Sequence, residues 1–175
     1  VGWGAGLEPK LIKGPDVFLS TLKLLKKDIP ELYVLLSGPA RGYVRQGLDE
    51  LQVPYKYVYL KSYPAVAKMF WALDLYLVAS RQEGGPKAIL ESMASGVPIV
   101  STRVGQATDL VKHGENGWLV NIEDVAGLAA CALQVYGSGD NVLAPILRHG
   151  RESAEANTYV TQIPLWASFM KGFVD

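Results

Sequence analysis

The 175 residues predict an α/β fold, a Rossmann-like parallel sheet with helices on both faces. Two features carry this expectation. Short apolar runs alternate with longer segments of helical spacing, and the runs are apolar at consecutive positions, as in strands covered on both faces. Beyond Asn121 the alternation gives way to helices alone.

The first helix is expected over 15–27, where Phe18, Leu19, Leu22 and Leu25 recur at helical spacing and Pro15 occupies the first turn. Tyr33-Val34-Leu35-Leu36 predicts a buried strand, 41–51 a helix, and Tyr55-Lys56-Tyr57-Val58-Tyr59-Leu60 a second such strand. A helix over 64–73 leads to a strand at Leu75-Tyr76-Leu77-Val78. The helix expected over 86–95 starts with Pro86 and is stopped by Gly96, ahead of a strand at Pro98-Ile99-Val100-Ser101. A short helix over 106–112 and a strand at Gly117-Trp118-Leu119-Val120 complete the alternation, and helices are expected over 123–136, 141–155 and 158–173. Strands joined through helices imply right-handed crossovers and a parallel sheet. In such sheets ligands bind beyond the carboxyl ends of the strands, so the loops after strands are where function is sought.

The composition narrows the function. About half of the chain is apolar (49%) and 19% is charged, with Lys+Arg and Asp+Glu equal at 17 each. No broad basic field exists to attract nucleic acid, so any recognition of phosphate has to be local. The single Cys131 has no partner for an internal disulfide, which fits a reducing, cytoplasmic setting. No run approaches the roughly 20 apolar residues of a membrane span, and no signal peptide opens the chain. The abrupt start at Val1-Gly2-Trp3-Gly4 is expected to reflect a preceding sequence that has been cut away.

One loop stands out. Ser80-Arg81-Gln82-Glu83-Gly84-Gly85-Pro86-Lys87-Ala88-Ile89-Leu90-Glu91 follows a buried strand and opens a helix. Gly84 and Gly85 remove side chains where a backbone must turn or approach something closely, and Pro86 suits a first helical position. The free N–H groups of that first turn, at the positive end of the helix dipole, favour an anion. Glu83 precedes the helix and Glu91 sits about one turn into it, so two carboxylates flank the same end. A bland alternative exists, because glycine-rich turns occur throughout doubly wound folds and glutamates near helix starts complement the dipole.

These residues resemble the Glu-x7-Glu signature of the retaining glycosyltransferases of family four (group 1), which have the GT-B architecture. The similarity runs from Glu83 through Ile99-Val100, on through Ser101-Thr102-Arg103-Val104-Gly105 and His113-Gly114-Glu115-Asn116-Gly117-Trp118-Leu119-Val120, and takes in Lys13-Gly14-Pro15-Asp16 and Ser37-Gly38-Pro39. The resemblance implies the C-terminal, donor-binding half of a GT-B enzyme, with 1–136 the nucleotide-sugar-binding domain. The helices of 137–175 would cross back toward an absent N-terminal half that binds the acceptor. It implies catalytic roles for Glu83, toward the transferred sugar, and for Lys13, toward the leaving diphosphate. Donor contacts would come from Gly14, Ser37, Gly38, Arg81, Gly84, Gly85, Pro86, Lys87, Ala88 and Glu91, with Glu91 on the ribose hydroxyls. Tyr59, Leu60 and Lys61 would contact the base. The implied ligand is a nucleotide diphosphate sugar, used as substrate without a cofactor, and the implied reaction is hexosyl transfer to a glycan or lipid-linked acceptor. The implied location is cytoplasmic, with peripheral membrane attachment open to the absent half. The chain by itself is expected to bind donor without completing transfer.

The chain departs from the family pattern in two places. An arginine usual just after the first strand is replaced at the apparent position by Trp3, with Lys10 or Arg81 as candidates to substitute. The common Gly-Phe-Gly-Leu run is Gly84-Gly85-Pro86-Lys87. Metal chemistry is not expected, because there is no Asp-x-Asp pair and no His/Cys cluster with zinc spacing. His113 reads as a turn residue, His149 as isolated, Glu123-Asp124 as a helix start, and Trp166 and Phe169 as packing residues. A nicotinamide dehydrogenase is disfavoured because Gly2-Trp3-Gly4-Ala5-Gly6 lacks the required glycine spacing and no helix follows it directly. An epimerase or phosphorylase of the same architecture, or a non-catalytic nucleotide-sugar-binding domain, is the alternative reading.

Overall fold

The computed structural model describes residues 1–4, 10–38, 42–85 and 87–173. Six strands form one parallel sheet: β1 (Gly2–Gly4), β2 (Val34–Ser37), β3 (Tyr55–Val58), β4 (Tyr76–Val78), β5 (Ile99–Thr102) and β6 (Trp118–Val120). Their order is β3-β2-β1-β4-β5-β6. The chain works outward from β1 to one edge and returns to β4 to build the other, so the order reverses between β1 and β4.

Helices α1 (Pro15–Asp28), α2 (Gly42–Leu51) and α6 (Val125–Gly137) cover one face. On the other lie α3 (Tyr63–Trp71), α4 (Lys87–Ala94), the short α5 (Ala107–Leu110) and α7 (Asp140–Ala156). Strand residues alternate between these faces: Leu75, Leu77, Val100, Trp118 and Val120 pack with Phe18, Leu22, Leu25 and Leu128, whereas Tyr76, Val78, Ile99 and Leu119 pack with Phe70, Ile89 and Met93. Burial on both faces is why these strands read as continuous apolar runs. Each large apolar side chain so buried contributes roughly 1.5–3 kcal/mol. At the edge, β3 keeps Tyr55 and Tyr57 partly buried and turns Lys56 outward.

Several boundaries differ from expectation. Trp3 lies within β1, in register with Leu36, and not after the strand. The positions that follow β1, 5–9, lie outside the described residues. The helix expected over 106–112 is one turn long, because Asn116 intervenes: its Oδ1 accepts the Lys112 N–H at 2.7 Å and its Nδ2 donates to the Leu110 carbonyl at 3.0 Å. These bonds close the chain into the His113–Gly117 turn, where His113 Nδ1 accepts the Leu119 N–H at 3.1 Å, so His113 is a turn residue. Glu123 does not start α6. It sits before the helix with φ 65°, and Asp124 is the N-cap, accepting the Gly127 N–H at 2.7 Å.

Helix α7 packs along α4, burying Gly150 and Ala154. Helix α8 (Tyr159–Lys171) touches α7 and contains no buried residue. Trp166 and Phe169, expected as packing residues, are about 60% exposed (62% and 57%) and pack on each other edge to face. Among the described residues no helix is long and apolar enough to cross a membrane.

Candidate donor-binding site

The strand order reverses between β1 and β4, and in sheets of this kind ligands bind beyond the carboxyl ends of the strands at such a point. A short 3-10 turn, Leu11–Lys13, lies at this end of the sheet and ends at Gly14, whose φ of 62° is left-handed. A Cβ at Gly14 would overlap the backbone carbonyl of Ala79, at the end of β4. Only glycine lets α1 begin so close to β4, and this contact carries Lys13 across to the β4 loop. There Lys13 Nζ donates to Glu83 Oε2 at 2.5 Å, with side chains 26% and 15% exposed.

Glu83 is held from its other oxygen as well. Ser80 Oγ donates to Glu83 Oε1 at 2.8 Å, and the Ser80 carbonyl accepts the buried Thr102 hydroxyl at 2.6 Å. Sequence reasoning singled out neither Ser80 nor Thr102 as a site residue, although both stand within the quoted motifs; their short hydroxyl side chains carry no signal until the fold pairs β4 with β5. The β5–α5 loop then braces the glycines. The Gln106 N–H donates to the Gly84 carbonyl at 3.0 Å, and Gly105, with φ 45°, has backbone of Glu83 and Gly84 where a Cβ would stand. Gly85 lies beneath the Gln106 carboxamide.

The exposed Lys87 opens α4, Ala88 packs partly into the α4-side core, and Glu91 follows one turn later, half-buried. Burial pushes the Glu91 carboxyl above the usual range, and the Lys87 charge pulls the other way. Pro86 lies outside the described residues. Ser37 ends β2, and Gly38, with φ 92°, accepts the Tyr57 hydroxyl at its carbonyl (2.9 Å). Tyr59, Leu60 and Lys61 follow the end of β3, Tyr59 and Lys61 exposed and Leu60 partly packed. They stand two strand spacings from β1, about 10 Å across the same rim.

Arg81, a candidate donor contact, already has protein partners. Its guanidinium is bound by Asp16, Glu123 and the Leu11 carbonyl. Lys10 is exposed at the start of the 3-10 turn. Among the described residues no group of three or more His, Cys, Asp or Glu is placed to hold a metal.

The family model for glycosyl transferases group 1 matches residues 2–138. The chain belongs to the group 1 glycosyltransferases. It is 37% identical over 153 residues to the putative colanic acid biosynthesis glycosyltransferase WcaL of Escherichia coli K12, covering 82% of this chain and 38% of that one. The chain spans about a third of the length of the first curated relatives it matches (33%, 36% and 37%). Its fold superposes on Anabaena HepE, solved with UDP and glucose, with a TM-score of 0.83 at 22% identity over 98% of this chain and 47% of that one. It also matches the isolated C-terminal domain of the group 1 glycosyl transferase LpcC of Francisella tularensis, with a TM-score of 0.71 at 21% identity over 89% and 85% of the two chains. The group 1 domain is therefore the C-terminal half of a GT-B architecture.

Proposed function

We propose that this group 1 domain binds the nucleotide diphosphate sugar for a retaining transferase that moves a hexose to a glycan or lipid-linked acceptor. The observation that carries the reading is the Lys13–Glu83 pair at the β1/β4 crevice, beside the glycine loop that opens α4. Lys13 supplies a positive charge where a diphosphate leaving group gains negative charge, and a preplaced cation of this kind stabilises the transition state without reorganisation. The backbone N–H groups of Gly84, Gly85 and Lys87 and the α4 dipole receive the distal phosphate. Glu83, fixed by Ser80, accepts hydrogen bonds from the sugar hydroxyls and orients the ring, and the leaving phosphate helps take the acceptor proton on the same face. Glu91 accepts from the ribose hydroxyls. Tyr59, Leu60 and Lys61, with Ser37 and Gly38, form the rim toward the base. HepE's complex with UDP and glucose makes a uridine donor the first to try.

The acceptor site belongs to an N-terminal half that is not in this chain. Without it the crevice does not close and exclude water, so the domain binds donor with negligible transfer. Calorimetric titration of the chain with UDP, GDP, ADP and their sugar conjugates tests the reading. One nucleotide series is expected to bind, and Lys13→Ala and Glu91→Ala are each expected to weaken it about ten-fold or more, the scale of a lost charge-assisted hydrogen bond. Binding indifferent to both substitutions would sink the residue assignment, and no binding by any series would sink donor recognition by this half.

A further inference from the structure

Two residues before Glu83 stands an arginine with all three guanidinium nitrogens bonded to protein. Arg81 Nε donates to Glu123 at 2.7 Å, Nη1 to Asp16 Oδ1 at 2.8 Å and to the Leu11 carbonyl at 2.6 Å, and Nη2 to Asp16 Oδ2 at 2.7 Å. Its backbone N–H donates to the Ile12 carbonyl at 2.8 Å. These partners come from separate segments: the turn after β1, the first turn of α1, and the β6–α6 turn. Glu123 reaches Arg81 from a left-handed backbone (φ 65°), a conformation that a non-glycine residue holds against its own preference.

We propose that Arg81 is a positioning residue, which fastens the Leu11–Lys13 turn and the start of α1 to the β4 loop and so fixes Lys13 opposite Glu83. The significance of that register rests on the donor-binding reading above. Lys13 and Glu83 both carry flexible side chains, and their own ion pair does not set the distance between the segments that bear them. The planar Arg81 fork secures it beside the Gly14–Ala79 contact, because it engages Asp16 through Nη1 and Nη2, the Leu11 carbonyl through Nη1 as well, and Glu123 through Nε. A lysine keeps the charge but presents a single nitrogen, which cannot span these partners.

Amide hydrogen exchange of the isotope-labelled chain reads the positioning directly. The Lys13 and Gly14 amides donate to the Lys10 and Leu11 carbonyls within the turn. Arg81→Met and Arg81→Lys are expected to lower their protection about ten-fold, while the amides of β5 and α6 keep theirs. Asp16→Asn, which removes half of the fork's charge pairing without touching Arg81, is expected to do the same more weakly and serves if an Arg81 variant fails to fold. Binding supplies the second readout: Arg81→Lys is expected to weaken the bound nucleoside diphosphate about ten-fold in the native background and hardly at all in Lys13→Ala, since it acts through Lys13. Unchanged exchange at Lys13 and Gly14, or losses that simply add in the double variant, would overturn the proposal. Altered exchange in a chain that binds no nucleoside diphosphate would leave the positioning role standing and remove the donor reading.

Discussion

Gly14→Ala tests whether the close approach of α1 to β4 builds the crevice. An alanine there pays twice. Its φ of 62° lies in the left-handed region, which costs an L-residue roughly 1–2 kcal/mol. Its Cβ would also overlap the Ala79 carbonyl, and because both are backbone, relief requires α1 or β4 to move, an overpacking cost of about 1–3 kcal/mol. Gly114→Ala isolates the first term, since Gly114 has φ 79° but open space where the Cβ would stand. Gly14→Ala is therefore expected to lose about 3 kcal/mol against about 1–2 kcal/mol for Gly114→Ala. Urea unfolding followed by far-ultraviolet circular dichroism measures both, and an unchanged slope shows that stability alone has changed. For a domain of this size, each 1 kcal/mol also moves the thermal midpoint by about 2–4 °C. If Gly14→Ala proves no worse than Gly114→Ala, α1 does not lean on β4, and the geometry that brings Lys13 to Glu83 is wrong.

Glu91 gives a pH signature. Burial raises its folded pKa, so its favourable contribution is complete below the ordinary carboxylate range and is lost as pH rises through the folded value. Glu91→Gln is thus expected to stabilise the domain at neutral pH and to lose that advantage in acid; a difference independent of pH in urea midpoints would contradict the burial. Core and tail also separate: Phe18→Ala, at a fully buried position, is expected to cost about 3–5 kcal/mol. Trp166→Ala on exposed α8 should stay within about 0.5 kcal/mol, and comparable losses in urea unfolding would mean that α8 packs in a way the structure does not have.

The elements legible in the sequence were those whose local signal and tertiary role coincide. Apolar runs became β2, β4, β5 and β6 because both faces of each are covered, and Pro15 marks a helix start by chemistry that acts locally. The Lys13 and Glu83 positions were legible from motif resemblance, and the fold brings them together from 70 residues apart. What the sequence hid depends on long-range partners. Asn116 ends α5 by reaching back to Leu110 and Lys112, and no periodicity announces a side chain that replaces a helical turn. Glu123 read as a helix start, and its pairing with Arg81 exists only once the loops after β4 and β6 are brought to the same end of the sheet. Trp166 and Phe169 have the composition of core residues, and composition alone does not tell a covered face from an exposed one.

Under the proposed donor role, the Lys13–Glu83 pair is a resting arrangement that an arriving diphosphate must open. Both side chains retain some solvent contact, so the pair is worth little more than the roughly 1 kcal/mol of a partly screened ion pair, and a diphosphate with several acceptor oxygens outcompetes a single carboxylate for Lys13. The cost would be a Glu83 released from its partner just when the sugar needs orienting. Ser80 answers that cost. It binds the oxygen of Glu83 that Lys13 does not, and its own carbonyl is anchored by the buried Thr102 hydroxyl on β5. Glu83 then keeps its place after Lys13 has turned to phosphate, and the carboxylate and the cation act on different parts of one ligand. Ser80→Ala should accordingly leave nucleoside diphosphate affinity intact and weaken the contribution of the sugar, a separation visible by comparing the diphosphate with its sugar conjugate. Equal losses for both ligands would mean that Ser80 supports the crevice as a whole and that Glu83 has no separate hold on the sugar.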